Sequence, residues 1–313
     1  MFTPVETADG SSTFYSEAFG EWFHSREGAC YEAQETYVKS VQLAQRVQKM
    51  AAGEPLKILD VCYGLGYNTA AALEAIWAVD TACAVEVKAL EIDIEVAKSA
   101  IAQNLIQRYS LPVQAVLSAI ASTGTVQRSA LSVQLLLGDA RQQIQSLIAE
   151  QWQADIIFLD PFSPPHCPQL WTVEFLALVS QCLSPNGGEL VTYSCAAAVR
   201  SALIQAGLSI TSLKTAARKW PGTLAYHPLA SDLAADSIAD SIAGLPSLSQ
   251  QEREHLQTKA AVPYRDPTLH ATAEDILARR AKEQQVSKLL PTRPWRSRWK
   301  QKALSAPTPN ESG

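Results

Sequence analysis

Asp60, Glu91, Asp139 and Asp160 each close a short apolar run, and the first of them is followed by Gly64 and Gly66. In KILDVCYGLGYNT the glycines let the backbone turn sharply and come close to a ligand. A nicotinamide dinucleotide would want a third glycine where this chain has Thr69, to pack helix on strand and receive pyrophosphate. An acid ahead of the first glycine favours a cationic ligand instead, so Asp60 is expected beside an ammonium group. Asn68, just past the glycines, is grouped with them as ligand-binding. Glu91, in LEID, is placed to accept hydrogen bonds from both hydroxyls of a ribose, with Asp93 a second candidate. Asp139, in GDAR, is placed to accept one from an adenine amino group. Taken singly, each acid reads equally well as a solvated carboxylate or a helix cap. Together and in this order they suit S-adenosylmethionine.

The fourth acid stands in FLDPFSPPHCPQLWT. Pro161 keeps Asp160 extended, so its carboxylate is aimed from the end of a strand. There it is expected at the transferred methyl, orienting an amine or accepting its proton. Phe162 is assigned to the acceptor side. Displacement at a sulfonium methyl rests on in-line positioning and a neutral amine. It needs no covalent intermediate, and no Ser/His/Asp or Cys/His set is evident. His166 and Cys167 lack metal spacing, and none of the six cysteines forms a CxxC pair. Neither a metal site nor a disulfide framework is expected, which fits a reducing cytosol.

These residues need a scaffold that places strand ends side by side. The runs LKILDVC, AVEVKALEI, VQLLLGD, ADIIFLD, GELVTYS and LSITSL read as strands between Lys57 and about Ser212. Helices are expected near 68–78, 94–106, 141–150, 172–182 and 196–206. Apolar strands alternating with helices predict a Rossmann-like α/β fold, a mostly parallel sheet covered on both faces. Its ligands sit at the carboxyl ends of the strands. Residues 1–50 read as an N-terminal arm and helix, 51–230 as the catalytic domain, and 231–313 as a C-terminal extension. In that extension a DSIA duplication within 231–247 reads as an acidic surface loop or weak helix, not a domain repeat. Residues 272–289 read as a helix with Thr272 and Asp275 at capping-box spacing, and the last ten residues as disordered.

With 313 residues, 47% hydrophobic and 18% charged, the composition is that of a globular protein. No apolar run is long enough to span a membrane, and the N-terminus lacks a signal-peptide pattern. A cytoplasmic protein is expected. The net charge of -5 argues against a generic nucleic-acid binder. Yet residues 276–302 hold nine basic residues and one acidic. Trp295 and Trp299 interleave there with Arg293, Arg296, Arg298 and Lys300. Arg296 and Arg298 are candidate phosphate contacts, and the indoles could stack on bases or pack on the domain.

In order, DGSSTFYSEAFGEWFHSREGACYEAQETYV, DVCYGLGYNTAAALE, LLLGDAR and FLDPFSPPHCPQLWTVEFL resemble the MnmC methyltransferase family, over roughly residues 9–228. The resemblance implies a class I methyltransferase fold. It implies S-adenosylmethionine-dependent methylation of the primary amine of 5-aminomethyl-(2-thio)uridine at the tRNA wobble position. It makes Asp160 the active-site Asp and has Tyr15, Ser16, Gly28, Glu32 and Tyr37 of the arm line the cofactor pocket. Arg218 and Lys219 fall at a basic turn that would meet tRNA. Where the family often reads Asp-Gly-Phe, this chain has Asp160-Pro161-Phe162. No second glycine fingerprint follows Pro228, so the expected form is a stand-alone methyltransferase without the flavin oxidase, supplied with aminomethyl-uridine by a separate enzyme. Two other readings stand beside this one: a methyl- or propylamine-type transferase for a small amine, and a non-catalytic cofactor-fold binding protein.

Overall fold

The computed structural model describes residues 2–51, 53–217, 220–228 and 247–305. The arm opens with two small hairpins, β1 (Val5–Glu6) with β2 (Ser12–Thr13) and β3 (Tyr15–Ser16) with β4 (Glu21–Trp22). Then come α1 (Ala29–Glu32), a π-helical turn over Ala33–Val38, and α2 (Leu43–Lys49). The arm is tied down at both ends. Phe2 stacks on the fully buried Phe14 with ring centroids 5.2 Å apart, and Asp9 accepts hydrogen bonds from the Ser11 and Tyr31 amides.

The body alternates strand and helix: β5 (Leu56–Val61), α3 (Tyr67–Val79), β6 (Val85–Glu91), α4 (Ile94–Ala102), α5 (Leu111–Thr123), β7 (Thr125–Arg128), β8 (Leu131–Leu137), α6 (Ala140–Ala149), β9 (Ile156–Leu159), α7 (Val173–Gln181), β10 (Glu189–Thr192), α8 (Ala197–Gln205), β11 (Ser209–Leu213) and β12 (Gly222–Tyr226). One eight-stranded sheet results, ordered β11-β12-β10-β9-β5-β6-β8-β7. The five central strands are parallel, and β7 and the β11–β12 pair add antiparallel flanks. This is the mostly parallel α/β sheet the sequence implied. Its strands are buried on both faces because each is nearly continuously apolar, as in IIFL, where all four residues are buried. One apolar cluster packs α3, α4 and α5 on one face. A second packs α6, α7 and α8 on the other.

Strand order reverses between β5 and its neighbours β6 and β9, which opens a crevice beyond their carboxyl ends. Local sequence sets the helix starts there. Asp93 caps α4 by accepting from the Glu95 amide, and Asp139 caps α6 by accepting from the Arg141 amide. Three elements of the body were not among the expected ones: α5, β7 and β12. Helix α5 nevertheless carries Pro112 in its first turn and Gly124 in a left-handed cap.

The C-terminal extension packs on this body through α9 (Gln250–Leu256), α10 (Ala273–Val286) and α11 (Thr292–Ser305). Thr172 and Tyr264 form an isolated parallel bridge. Thr272 caps α10 through the Asp275 amide, as its spacing implied. Ser249 and Glu252 form a full capping box on α9. The DSIA duplication, Arg218, Lys219 and residues 306–313 lie outside the described residues. No helix among the described residues is long and apolar enough to cross a membrane.

Candidate functional site

A cleft of about 970 Å³ opens at the carboxyl ends of β5, β6, β8 and β9. Its size is at the upper end of the range for small-molecule sites. The chain leaves β5 at Cys62, whose positive φ of 72° marks a tight turn, and reaches the first turn of α3 through Gly66. Gly66 has φ 85°, and a Cβ there would lie 2.6 Å from the Tyr63 hydroxyl. Both facts require glycine. Thr69, at the place of an absent third glycine, donates its hydroxyl to Asp60 at 2.6 Å. This bond stitches helix to strand, so no close glycine contact is needed.

Asp60 departs from its expected place. It is fully buried and its carboxylate does not line the cleft. Burial pushes its pKa up to about 7; the bond from Thr69 works against this and the nearby Glu91 charge adds to it. One of its oxygens has no hydrogen-bond partner. Its place is beneath the glycine loop, which it supports.

Glu91 does line the cleft, at the tip of β6. One oxygen accepts the Gly64 amide at 2.7 Å, and the other accepts the Ile92 and Asp93 amides. Burial raises its pKa and these backbone bonds oppose the rise. A carboxylate held this way has its orientation fixed relative to the glycine loop, with one lone-pair direction on Oε2 left for a ligand hydroxyl. Asp139 borders the cleft at the end of β8. Gly66 lies one step behind the lining and sets the loop's shape.

Asp160 follows the tip of β9 and receives the Asn68 side-chain amide at 2.8 Å. Burial lifts its pKa to about 8, helped by the charge of Glu32; the Tyr37 hydroxyl and the Asn68 amide pull the other way. Asn68 is itself buried, and its carbonyl oxygen has no partner. That orphan acceptor at the cleft wall is suited to an ammonium N–H. Tyr193 donates to the Pro161 carbonyl at 2.9 Å and so fixes the proline-containing turn.

The arm forms the roof. Tyr15, Ser16, Glu32 and Phe162 line the cleft, whereas Gly28 and Tyr37, also expected there, are not part of its lining. What sequence reasoning missed is how the roof closes. Phe19 stacks on Phe162 at 4.6 Å, and Phe23 meets the same ring edge-on at 4.9 Å. Glu21 accepts the Ser163 amide at 2.8 Å, and His166 bonds the Phe19 carbonyl at 2.6 Å. His24, half-buried beside Thr13 and Tyr67, has its pKa lowered to about 4 by desolvation. Aromatic residues in the arm were visible in sequence, but their partners lie about 140 positions away.

The tail residues do not join the cleft. Helix α11 lies on α9, where Trp295 stacks on His255 at 3.9 Å and donates to the Gln251 carbonyl. Trp299 donates to Glu254 at 2.8 Å. Both indoles are thus engaged within the protein rather than presented to bases. Arg293, Arg296 and Lys300 stay exposed, while Arg298, also exposed, pairs with Glu254.

Set against known proteins, residues 98–228 match a family described as S-adenosyl-L-methionine-dependent methyltransferase. The crystal structure of MNMC2 from Aquifex aeolicus superimposes with a TM-score of 0.74 at 28% identity, covering 91% of this chain and 85% of that one. Protein MJ0670 of Methanocaldococcus jannaschii is 29% identical across 91% of this chain and 73% of its own length. The tRNA 5-methylaminomethyl-2-thiouridine biosynthesis bifunctional protein MnmC of Acidovorax sp. is 28% identical over 224 residues, 67% of this chain. This chain spans about a third of that relative's length, 33%.

Proposed function

Since the chain is an S-adenosylmethionine-dependent methyltransferase of the MnmC-like kind, we propose that it methylates the primary amine of 5-aminomethyl-(2-thio)uridine at the tRNA wobble position. The observation that carries this reading is Asp160, a carboxylate fixed by Asn68 at the tip of β9 and facing the cleft beneath the aromatic roof. The substrate class comes from the relatives: MnmC names that modification, and the Aquifex structure extends the similarity over nearly the whole chain.

The residues present fit the cofactor. Glu91 is placed for ribose hydroxyls, Asp139 for the adenine amino group, and the Asn68 carbonyl for the methionine ammonium. The positive end of α3 lies behind the glycine loop, where a carboxylate is stabilised. When bound, S-adenosylmethionine supplies an electrophilic methyl on sulfonium.

An alkylamine at neutral pH is an ammonium and has no lone pair to attack with. Asp160 takes that proton, which leaves a neutral amine hydrogen-bonded to its carboxyl. Asp160 would in this way leave the nitrogen lone pair free for the methyl that the bound cofactor supplies. The secondary ammonium product keeps its two N–H protons. Phe19, Phe23 and Phe162 exclude water and present an apolar wall to the acceptor ring. Exposed Arg293, Arg296, Arg298 and Lys300 on α11 offer positive charge to phosphates.

Nucleoside mass spectrometry of tRNA from cells lacking the protein is the direct test. Accumulated 5-aminomethyl-uridine species are expected; an unaltered wobble profile would sink the proposal. A small free amine is the second reading, favoured by Glu21, Glu32 and Asp160 all lining the cleft. Turnover of free amines, with none on tRNA lacking the methyl group, would select it.

A further inference from the structure

Arg141 sits in the first turn of α6, where a cation opposes the helix dipole. It is nevertheless almost completely buried and lies on the cleft lining. Its side chain folds back over the start of its own helix. Nε donates to both oxygens of Asp139 at 3.1 Å, and Nη2 donates to the Asp139 Oδ2 at 2.6 Å. Nη1 turns the other way, to Asp266 at 2.8 Å and to the Ala271 carbonyl at 3.0 Å. Asp266 comes from the C-terminal extension, 125 positions away, and is fully buried. It also accepts from the Thr268 hydroxyl and the Ala271 amide, and its own amide is held by Glu174. A bidentate guanidinium–carboxylate pair anchored this way has little freedom to rotate.

We propose that Arg141, anchored by Asp266, is a positioning residue that fixes the orientation of the Asp139 carboxylate at the cleft and thereby selects a 6-aminopurine over a 6-oxopurine at the cofactor site. The inference rests on the reading that Asp139 meets the purine edge. Three donors from Arg141 occupy most of the Asp139 lone-pair directions, and the 29% of its side chain left exposed borders the cleft. Desolvation would favour the protonated form of Asp139, and the hydrogen bonds and charge of Arg141 outweigh it, so the group is held below the usual carboxylate range. An exocyclic amine donates to such a group. A 6-oxo group sets its own lone pairs against it, and a polar site left unpaired discriminates strongly. The C-terminal extension is thus part of the cofactor site without touching the cofactor.

The test compares binding of S-adenosylhomocysteine and its deaminated counterpart, S-inosylhomocysteine, by calorimetry on the full chain. The preference is a ratio of affinities measured on each protein, so a partly unfolded sample does not distort it. Wild type is expected to prefer the amino compound by tenfold or more. Arg141→Met and Asp266→Asn should each cut that preference about tenfold, the loss falling on the amino compound. An unchanged preference in both variants, with Asp139→Asn abolishing it, overturns the role of Arg141 and Asp266 alone. An unchanged preference in Asp139→Asn as well overturns the purine-edge reading of Asp139 and the inference with it.

Discussion

At the scale of single residues, the role proposed for Asp160 comes with a cost. Its carboxyl is half-buried at the end of β9 beside Asn68, Glu32 and Tyr37, and desolvation lifts its pKa to about 8. Asp160→Asn should lower kcat by about 100-fold or more, the range for loss of a positioned base. Its affinity for S-adenosylhomocysteine should stay within about threefold, since the groups assigned to ribose and adenine are untouched; a collapse of that affinity would move Asp160 to the cofactor side. The wild-type kcat/KM should fall on the acid side of about pH 8, and in the variant this limb should move up toward the pKa of the amine itself.

The same carboxyls set a pH dependence of stability. Asp60 and Asp160 titrate near 7 and 8 in the folded chain, against 3.8 for an ordinary aspartate. Between those values the folded state binds more protons than the unfolded one. Stability from these groups is therefore full below about pH 4 and is lost as pH rises through 7 to 8. Calorimetric melting of the ligand-free protein should show Tm falling from pH 5.5 to 8.5. Asp160→Asn should melt a few degrees above wild type at pH 8.5 and near it at pH 5.5. Equal pH slopes in the two proteins would refute the assignment.

At the scale of elements, the arm roofs the cleft through the β3–β4 hairpin, whose contacts reach a segment distant in sequence. The β3–β4 hairpin reaches the acceptor loop through Glu21 and Ser163, and through the Phe19–Phe162 stack. Phe23 lies 3.5 Å from where a Cβ on Gly64 would be, so the roof also touches the glycine loop. Glu21→Ala removes a charge-assisted bond and leaves the Ser163 amide without its partner, a loss of about 1.5–3 kcal/mol when fully buried and less in this partly open site. Dissociation of S-adenosylhomocysteine, followed by stopped flow, should quicken about tenfold, with little change in global melting. An unaltered rate would mean that the arm does not close the site.

At the scale of the whole molecule, basic residues gather on one helix of a net-negative chain. The chain is net negative, and α11 gathers Arg293, Arg296, Arg298, Lys300 and Lys302 on one short helix. With both tryptophans packed on α9, this helix offers charge rather than base stacking. Changing Arg293, Arg296 and Lys300 to Gln should weaken tRNA binding and lower the slope of log K against log salt, by roughly 0.7–0.9 for each lost phosphate contact. An unchanged slope would count against this surface. Turnover on a short aminomethyl-uridine substrate should persist, because α11 lies away from the cleft.

The sequence alone determined the sheet and the ligand class. Apolar runs such as IIFL have no polar face, so they must be buried on both sides, and a tip acid after each run marks the binding edge. Asp60, Gly64, Gly66, Glu91, Asp139 and Asp160 were all legible this way, because each effect is local: a turn, a cap, a strand end. Tertiary structure alone decided which acids reach the cleft. Asp60 and Asp160 look alike in sequence, yet Thr69 draws one beneath the loop while Asn68 holds the other at the cleft wall. The short strand β12 escaped notice because GTLAY, though buried throughout, mixes Gly, Thr and Ala and so lacks the continuous apolar run that marks IIFL. The roof and the Arg141–Asp266 anchor were equally hidden, since hydrogen bonds spanning 125 to 147 positions leave no periodicity in the chain.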